Sequence, residues 1–256
     1  MYNMDVKEAL KIFALNHGDD ALVLSHRITE WCGHGPELEE DIALSNVGLD
    51  LLGQAQSLLN YAGELGGEGK NADDLAYRRR EREFTSLLLV EQPNGNYANT
   101  IARQFFYDTF HYYFLQGLKN SQDEFLKGFA EKSIKEVAYH LRHSSKWVII
   151  FGDGTDESHQ KIQEAVEQIW KYTGEMFEVS EAYSTLQKAN ILPNLDEVKS
   201  NYQTKISEVL AEAKLKIPEG TFMSTGGRNG IHTENLGYML TEMQYLVRTY
   251  PDANWD

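Results

Sequence analysis

Apolar residues recur at three- and four-residue spacing along most of the chain, which is the period of helices rather than strands. The first helix is expected over about residues 5–32 and stops at "CGHGP", where glycine and proline end helices. Within it, Gly18 followed by Asp19 and Asp20 marks a break or kink. A second helix is expected over about residues 37–65, with Pro36 near its first turn and "LGGEG" behind it. This second helix is apolar almost all round, through Ile42, Leu44, Val47, Leu49, Leu51, Leu52, Ala55, Leu58 and Leu59. Such a helix needs either a central place in a bundle or a face against another chain, a second copy included.

The polar connection "KNADDLAYRRREREF" predicts a short helix, and "SLLLVEQPNGN" is an apolar run closed by a turn. A third long helix is predicted over about residues 96–118 and a fourth over about 121–151. Thr155 caps a fifth reaching about Glu175. Shorter helices follow near about 181–189 and 195–214, and "MSTGGRNGIH" leads into a last helix over about 233–250. The expected fold is all-α: one domain, residues 1–256, with a four-helix bundle over about 5–151 and a helical extension over about 155–250.

Composition narrows the partners. A formal net charge of −15 argues against nucleic acid and against an anionic membrane surface, both of which need basic patches. Cys32 is the lone cysteine, so no intrachain disulfide forms, and as a lone cysteine in an apolar helix it is expected to be a structural thiol. No stretch reaches the roughly 18 apolar residues of a membrane helix, and "MYNMDVKEALKIF" does not read as a signal peptide. A cytoplasmic protein is expected. The 14 tyrosines and 4 tryptophans fit an interface or a large helical core equally well.

"SIKEVAYHLRHSSKW" raises the question of a metal, because Glu136, His140 and His143 share a helix face. Bundles that hold paired iron need a carboxylate from each of two helices and a Glu-x-x-His pair from each of the other two. The residues three before the 8 histidines are Ala14, Val23, Trp31, Asp108, Val137, His140, Asp156 and Asn229. None is glutamate, so the motif is absent. A non-standard set could be drawn from Glu30, Asp108, His111, Glu136 and His140. Hydrogen-bonded histidines at the core edge, with Asp108 paired to a cation, explain the same residues with fewer assumptions. The stripe Glu136, Tyr139, His140, His143 and Trp147 fits a helix–helix or chain–chain contact.

Four long stretches carry a resemblance: "EWCGHGPELEEDIALSNVGLDLLGQAQ", "LLLVEQPNGNYANTIARQFF", "IKEVAYHLRHS" and "GIHTENLGYMLTEMQYL". Through them the chain resembles the PaaA/PaaC family, the ferritin-like subunits of bacterial phenylacetyl-CoA epoxidase, also called the phenylacetate-CoA oxygenase complex. The resemblance implies a ferritin-like bundle. It is to the kind of subunit that has lost its di-iron centre and supports the catalytic one. It implies Glu30, Asn46, Leu49, Asp108, Val137 and His140 as the vestigial ligand positions, with Glu30, Asp108 and His140 kept. Glu30, Asn46, Asp108 and His140 are then expected to form a polar network in place of metal, because buried polar groups need partners. The resemblance also implies partners: a PaaA-like catalytic subunit holding di-iron, other epoxidase subunits, and a reductase with flavin and an iron–sulfur cluster that draws electrons from NADPH. This chain itself would bind no cofactor and catalyse nothing alone.

Two local features remain. "YRRRERE" places Arg78, Arg79, Arg80 and Arg82 together, either as a contact for an acidic partner or a coenzyme A phosphate, or as a solvated face with internal Glu–Arg pairs. "STGGRNG", with Arg228, could cradle a phosphate or touch a partner, although it lacks the phosphate-loop lysine. A plain connecting loop is the simpler reading.

Overall fold

The computed structural model describes residues 4–253. Its helices are α1 (Val6–Thr29), α2 (Leu38–Gly66), α3 (Ala72–Tyr77), α4 (Tyr97–Leu118), α5 (Glu124–Gly152), α6 (Asp156–Trp170), α7 (Glu181–Lys188), α8 (Leu195–Glu212) and α9 (Glu234–Thr249). No strand occurs among the described residues. The four long helices α1, α2, α4 and α5 form the ferritin-like bundle, with α1 packed on α2 and α4 on α5. Helices α6 and α8 pack on α4, α7 packs on α1, and α9 meets α3. Among the described residues no helix is long and apolar enough to cross a membrane.

Local chemistry sets the ends. Asn96, Asp123, Thr155 and Ser180 each accept a backbone N–H three residues on, capping α4, α5, α6 and α7. Gly67 closes α2 in the left-handed conformation at φ 69°. Helix α6 ends at Trp170, short of the expected Glu175. A tight turn over Gly174–Phe177 follows, and it buries the Glu175 side chain.

Gly18 does not break α1. A Cβ there would meet Leu59 Cδ2 at 2.8 Å, so the glycine lets α1 and α2 approach. Asp19 and Asp20 are buried in mid-helix. Asp19 is gripped by Arg79, at 3.0 Å from Nη1, and takes the Thr85 N–H at 2.9 Å. Asp20 takes the Leu87 N–H at 2.8 Å and two bonds from Arg228, at 2.9 and 2.7 Å. These carboxylates hold a mostly buried, non-helical stretch, residues 84–92, by taking the Thr85 and Leu87 N–H groups.

Two more acids complete that clamp. Glu175 accepts the N–H groups of Leu88 and Gly226, at 2.9 and 2.8 Å. Glu91 accepts the Thr233 N–H at 2.8 Å. The glycine-rich loop before α9 is therefore a docking strap, and a Cβ on Gly227 would stand 2.1 Å from the Ser86 carbonyl oxygen.

Candidate functional site

Polar side chains are buried on all four long helices, Asp19, Asp20, Ser25 and Arg27 on α1 and Gln54 on α2 among them. On α4, Gln104, Asp108 and His111 follow one another at helical spacing, and all three are buried. On α5 the inward residues are Val137, His140 and Ser144. On α2 they are Val47 and Gln54, with Asp50 half-buried at the edge. In α1, Ile28 approaches Gly48 of α2, and at this end Leu24, Ser25, Arg27 and Ile28 are buried, with Ser25 donating to the Gly48 carbonyl at 2.8 Å.

Asp108 is fully committed. Gln104 Nε2 donates to one oxygen at 2.7 Å and Ser144 Oγ to the other at 2.8 Å. Burial pushes its carboxyl up to about 6, opposed by His140 and by these two bonds. His140 Nε2 lies 3.0 Å from Asp50 Oδ2. Burial lowers His111 to about 3, so its ring is neutral near pH 7. The enclosed space beside His111, His17 and Gln54 is about 10 Å³, room for roughly one water and not for a substrate.

A ladder of polar pairs ties α2 to α5. His143 faces Glu40 at 2.8 Å, His140 faces Asp50, Gln54 donates to Glu136 at 3.0 Å, and Tyr61 donates to Asp123 at 2.7 Å. Tyr97 also donates to Glu40, at 2.6 Å, and its ring meets Trp147 edge-on. The expected stripe on α5 thus serves as a helix–helix contact through Glu136, His140, His143 and Trp147, while Tyr139 points outward.

Several expectations need correction. Glu30 sits past the end of α1, 42% exposed, bonded to Arg27 at 2.8 Å and Asn94 at 2.9 Å. Asn46 and Leu49 face solvent. The expected network of Glu30, Asn46, Asp108 and His140 therefore does not form. Asp108 and His140 remain inside, with Gln104, Ser144 and Asp50 as their partners. On α2 the inward pair is Val47 and Asp50, one residue later than the expected Asn46 and Leu49. One residue rotates a side chain by about 100° around a helix, which separates core from solvent. The pattern Val47-x-x-Asp50 matches Val137-x-x-His140 on α5.

The alternative ligand set also disperses. Glu136 is engaged by Gln54, and Glu30 lies at the exposed end of α1. Among the described residues no three histidine, cysteine or acidic side chains are grouped to hold a metal ion. The residues present do not fit a di-iron centre: two positions are valine, and both Asp108 oxygens already accept hydrogen bonds.

Two of the basic candidates are structural as well: Arg79 and Arg228 are tied to the buried Asp19 and Asp20. Arg78 pairs with Asp74 at 3.2 Å, while Arg80 and Arg82 are exposed beside Glu81 and Glu83. Cys32 lies beyond the end of α1 and is exposed, not packed in a helix.

Asp108→Asn tests the reading of the interior. The native carboxyl, raised to about 6 from 3.8, contributes stability that is full below about pH 4 and lost as pH rises through about 6. An amide escapes that loss, since its oxygen can accept from Gln104 and its NH₂ can donate to Ser144. The variant is expected to exceed wild type by about 2 kcal/mol at pH 8 and to match it near pH 4. Urea unfolding at both pH values measures this, and a variant weaker than wild type at pH 8 would contradict it.

Residues 2–255 match the family described as phenylacetic acid catabolic protein. The chain is 48% identical over 246 residues to a subunit of the 1,2-phenylacetyl-CoA epoxidase of Escherichia coli (strain K12), covering 96% of this chain and 99% of that protein. With a family match over nearly the whole chain and a relative this similar along its full length, the chain belongs to the phenylacetic acid catabolic protein family, PaaA/PaaC.

Proposed function

We propose that this chain is a supporting subunit of a phenylacetyl-CoA epoxidase, acting in phenylacetate catabolism without a di-iron centre of its own. The observation that carries the non-catalytic part is the pair of valines at Val47 and Val137, together with an Asp108 whose two oxygens are occupied by Gln104 and Ser144. At this end of α1 Leu24 and Ile28 are fully buried, and their buried polar neighbours Ser25 and Arg27 are bonded to the Gly48 and Glu91 carbonyls. Asp108 and His140, each already engaged by neighbouring side chains, cannot neutralise and hold two cations between them.

In this reading the catalytic subunit holds the di-iron centre and epoxidises the ring with molecular oxygen. A reductase with flavin and an iron–sulfur cluster supplies electrons from NADPH. The present chain braces the catalytic subunit. Its own interior is a scaffold, in which the α2–α5 polar ladder fixes the rotation of both helices. The same ladder explains why Glu136, His140 and His143 persist where metal ligands are missing: each has a partner on α2.

Iron stoichiometry tests this directly. The purified chain, loaded anaerobically with ferrous iron and desalted, is expected to retain close to no iron. Retention of about two irons per chain would make it an oxygen-activating protein in its own right. Asp108, Glu136 and His140 would then be the first residues to replace.

A further inference from the structure

A cavity of about 540 Å³ opens between α1, α4, α7 and the tight turn at Gly174–Phe177. That is the size of a small-molecule pocket, whereas voids left by ordinary core packing seldom exceed one water. Two helical pairs at i,i+4 spacing build its wall, Phe13 with His17 on α1 and Phe110 with Phe114 on α4. Their rings form one aromatic surface. Ring centroids lie 4.4 Å apart for Phe13 and His17, 4.9 Å for His17 and Phe114, and 5.6 Å for Phe110 and Phe114. Met176 extends the wall from the turn. A ligand's apolar body is desolvated against such a surface, and its ring finds stacking partners.

Charge decides what the body carries. Among the described residues, Arg228 is the one arginine or lysine on the lining. Its Nη1 and Nη2 are spent on Asp20 and on the Asn16 and Thr85 carbonyls. Glu175 is spent as well, on the Leu88 and Gly226 N–H groups. Glu178 and Glu181 also line the cavity, and both are exposed. The N-terminus of α7 opens here, but its positive end is already met. Ser180 Oγ accepts the Tyr183 N–H at 3.1 Å, and Glu181 stands in the first turn.

The inner wall adds no positive charge. Burial, Arg228 and His111 hold His17 well below the usual imidazole range, so its ring is neutral at pH 7. Asn16, on the same lining, has a buried amide oxygen without a hydrogen-bond partner, an acceptor that an N–H donor would satisfy. Exposed carboxylates, an orphaned acceptor and aromatic faces all favour a cation with N–H donors and disfavour an anion.

We propose that this cavity is a binding site for an organic ammonium ion with an aromatic body, which lays its ring on the Phe13–Phe110–Phe114 wall and turns its ammonium toward Glu178 and Glu181. The site lies outside the α2–α5 ladder and is independent of the supporting role.

The probe is 2-phenylethylammonium, a small molecule that joins a ring to a primary ammonium through a flexible link. Calorimetric titration of the full chain at low salt compares it with 2-phenylethanol and phenylacetate, its neutral and anionic counterparts. The ammonium is expected to bind once per chain, about 10-fold or more tightly than either counterpart. Glu178→Gln with Glu181→Gln is expected to weaken it about 10-fold and to remove most of its salt dependence. Both side chains are exposed, so this variant keeps its fold. Ile12→Trp, which fills the cavity from its lining, is expected to weaken binding by a further about 10-fold or more. No binding at millimolar ammonium would overturn the site. So would equal or tighter binding of the alcohol or of phenylacetate, or an affinity that the glutamine pair leaves unchanged.

Discussion

Arg228→Ala is expected to destabilise the chain by about 3–5 kcal/mol at pH 8, the typical cost of stranding one partner of a buried ion pair. Arg228 donates to both oxygens of Asp20 and to the carbonyls of Asn16 and Thr85, at 3.0 and 2.8 Å. Its loss leaves Asp20 fully buried, with the Leu87 N–H still bonded to it. Burial already raises the Asp20 carboxyl to about 6 with Arg228 opposing that rise, so without the guanidinium it rises further. An acid raised in the native state contributes stability that is present below the unfolded pKa and lost as pH rises through the folded one. The defect is therefore expected to be larger at pH 8 than at pH 5. A fall of about 10 °C in melting temperature at pH 8 is anticipated for a chain of this length. Arg228→Lys should recover only part of it, because an ammonium cannot fork across a carboxylate. A loss under about 1 kcal/mol at pH 8 would mean that the strap is held by its glycines and carbonyls alone.

This clamp is the part of the fold least legible in the sequence. Gly18-Asp19-Asp20 reads locally as a helix break, because glycine and aspartate disfavour helix interiors. The groups that keep it helical lie far off in the chain: Arg79 is 60 residues from Asp19, and Arg228 is 208 from Asp20. Neither pairing has a local signature. The same distance explains why Arg228 in its glycine-rich loop reads as a phosphate cradle. Its charge is spent on Asp20, and the Gly226 N–H on Glu175.

The helices themselves are legible, since apolar periodicity and capping residues are local properties. Asn96, Thr155 and Gly67 mark ends that the structure keeps within a few residues. Asp108 and His140 can also be found, because charged or imidazole side chains in strongly apolar helices stand out. The rotation of α2 cannot. With leucine or isoleucine on nearly every side, its pattern does not say which face is inward, and the family resemblance points to Asn46 rather than Val47. Asp50 and Gln54 hold the missing signal. They are polar residues four apart within "VGLDLLGQAQ", and a polar pair at that spacing marks the side that meets a polar partner.

Val137→Glu, which puts back a carboxylate one turn before His140, is expected to destabilise the metal-free chain by about 4 kcal/mol or more at pH 8. Val137 is 0% exposed, and burial in the same bundle already holds His111 neutral. Buried glutamates reach pKa values of about 8–9, and each unit of that rise is about 1.4 kcal/mol against the charged form. The longer side chain adds overpacking of about 1–3 kcal/mol. The electrostatic part has the sign of any raised acid, so it should shrink at pH 5 and leave the packing part behind. Thermal unfolding with and without ferrous or manganous ion separates two views of the interior. If the interior is a scaffold, with Val47 opposite and Asp108 held by Gln104 and Ser144, added metal should leave the variant's midpoint where it was. A variant as stable as wild type without metal, or one that metal restores, would mean that the bundle still shapes a cation site one ligand short.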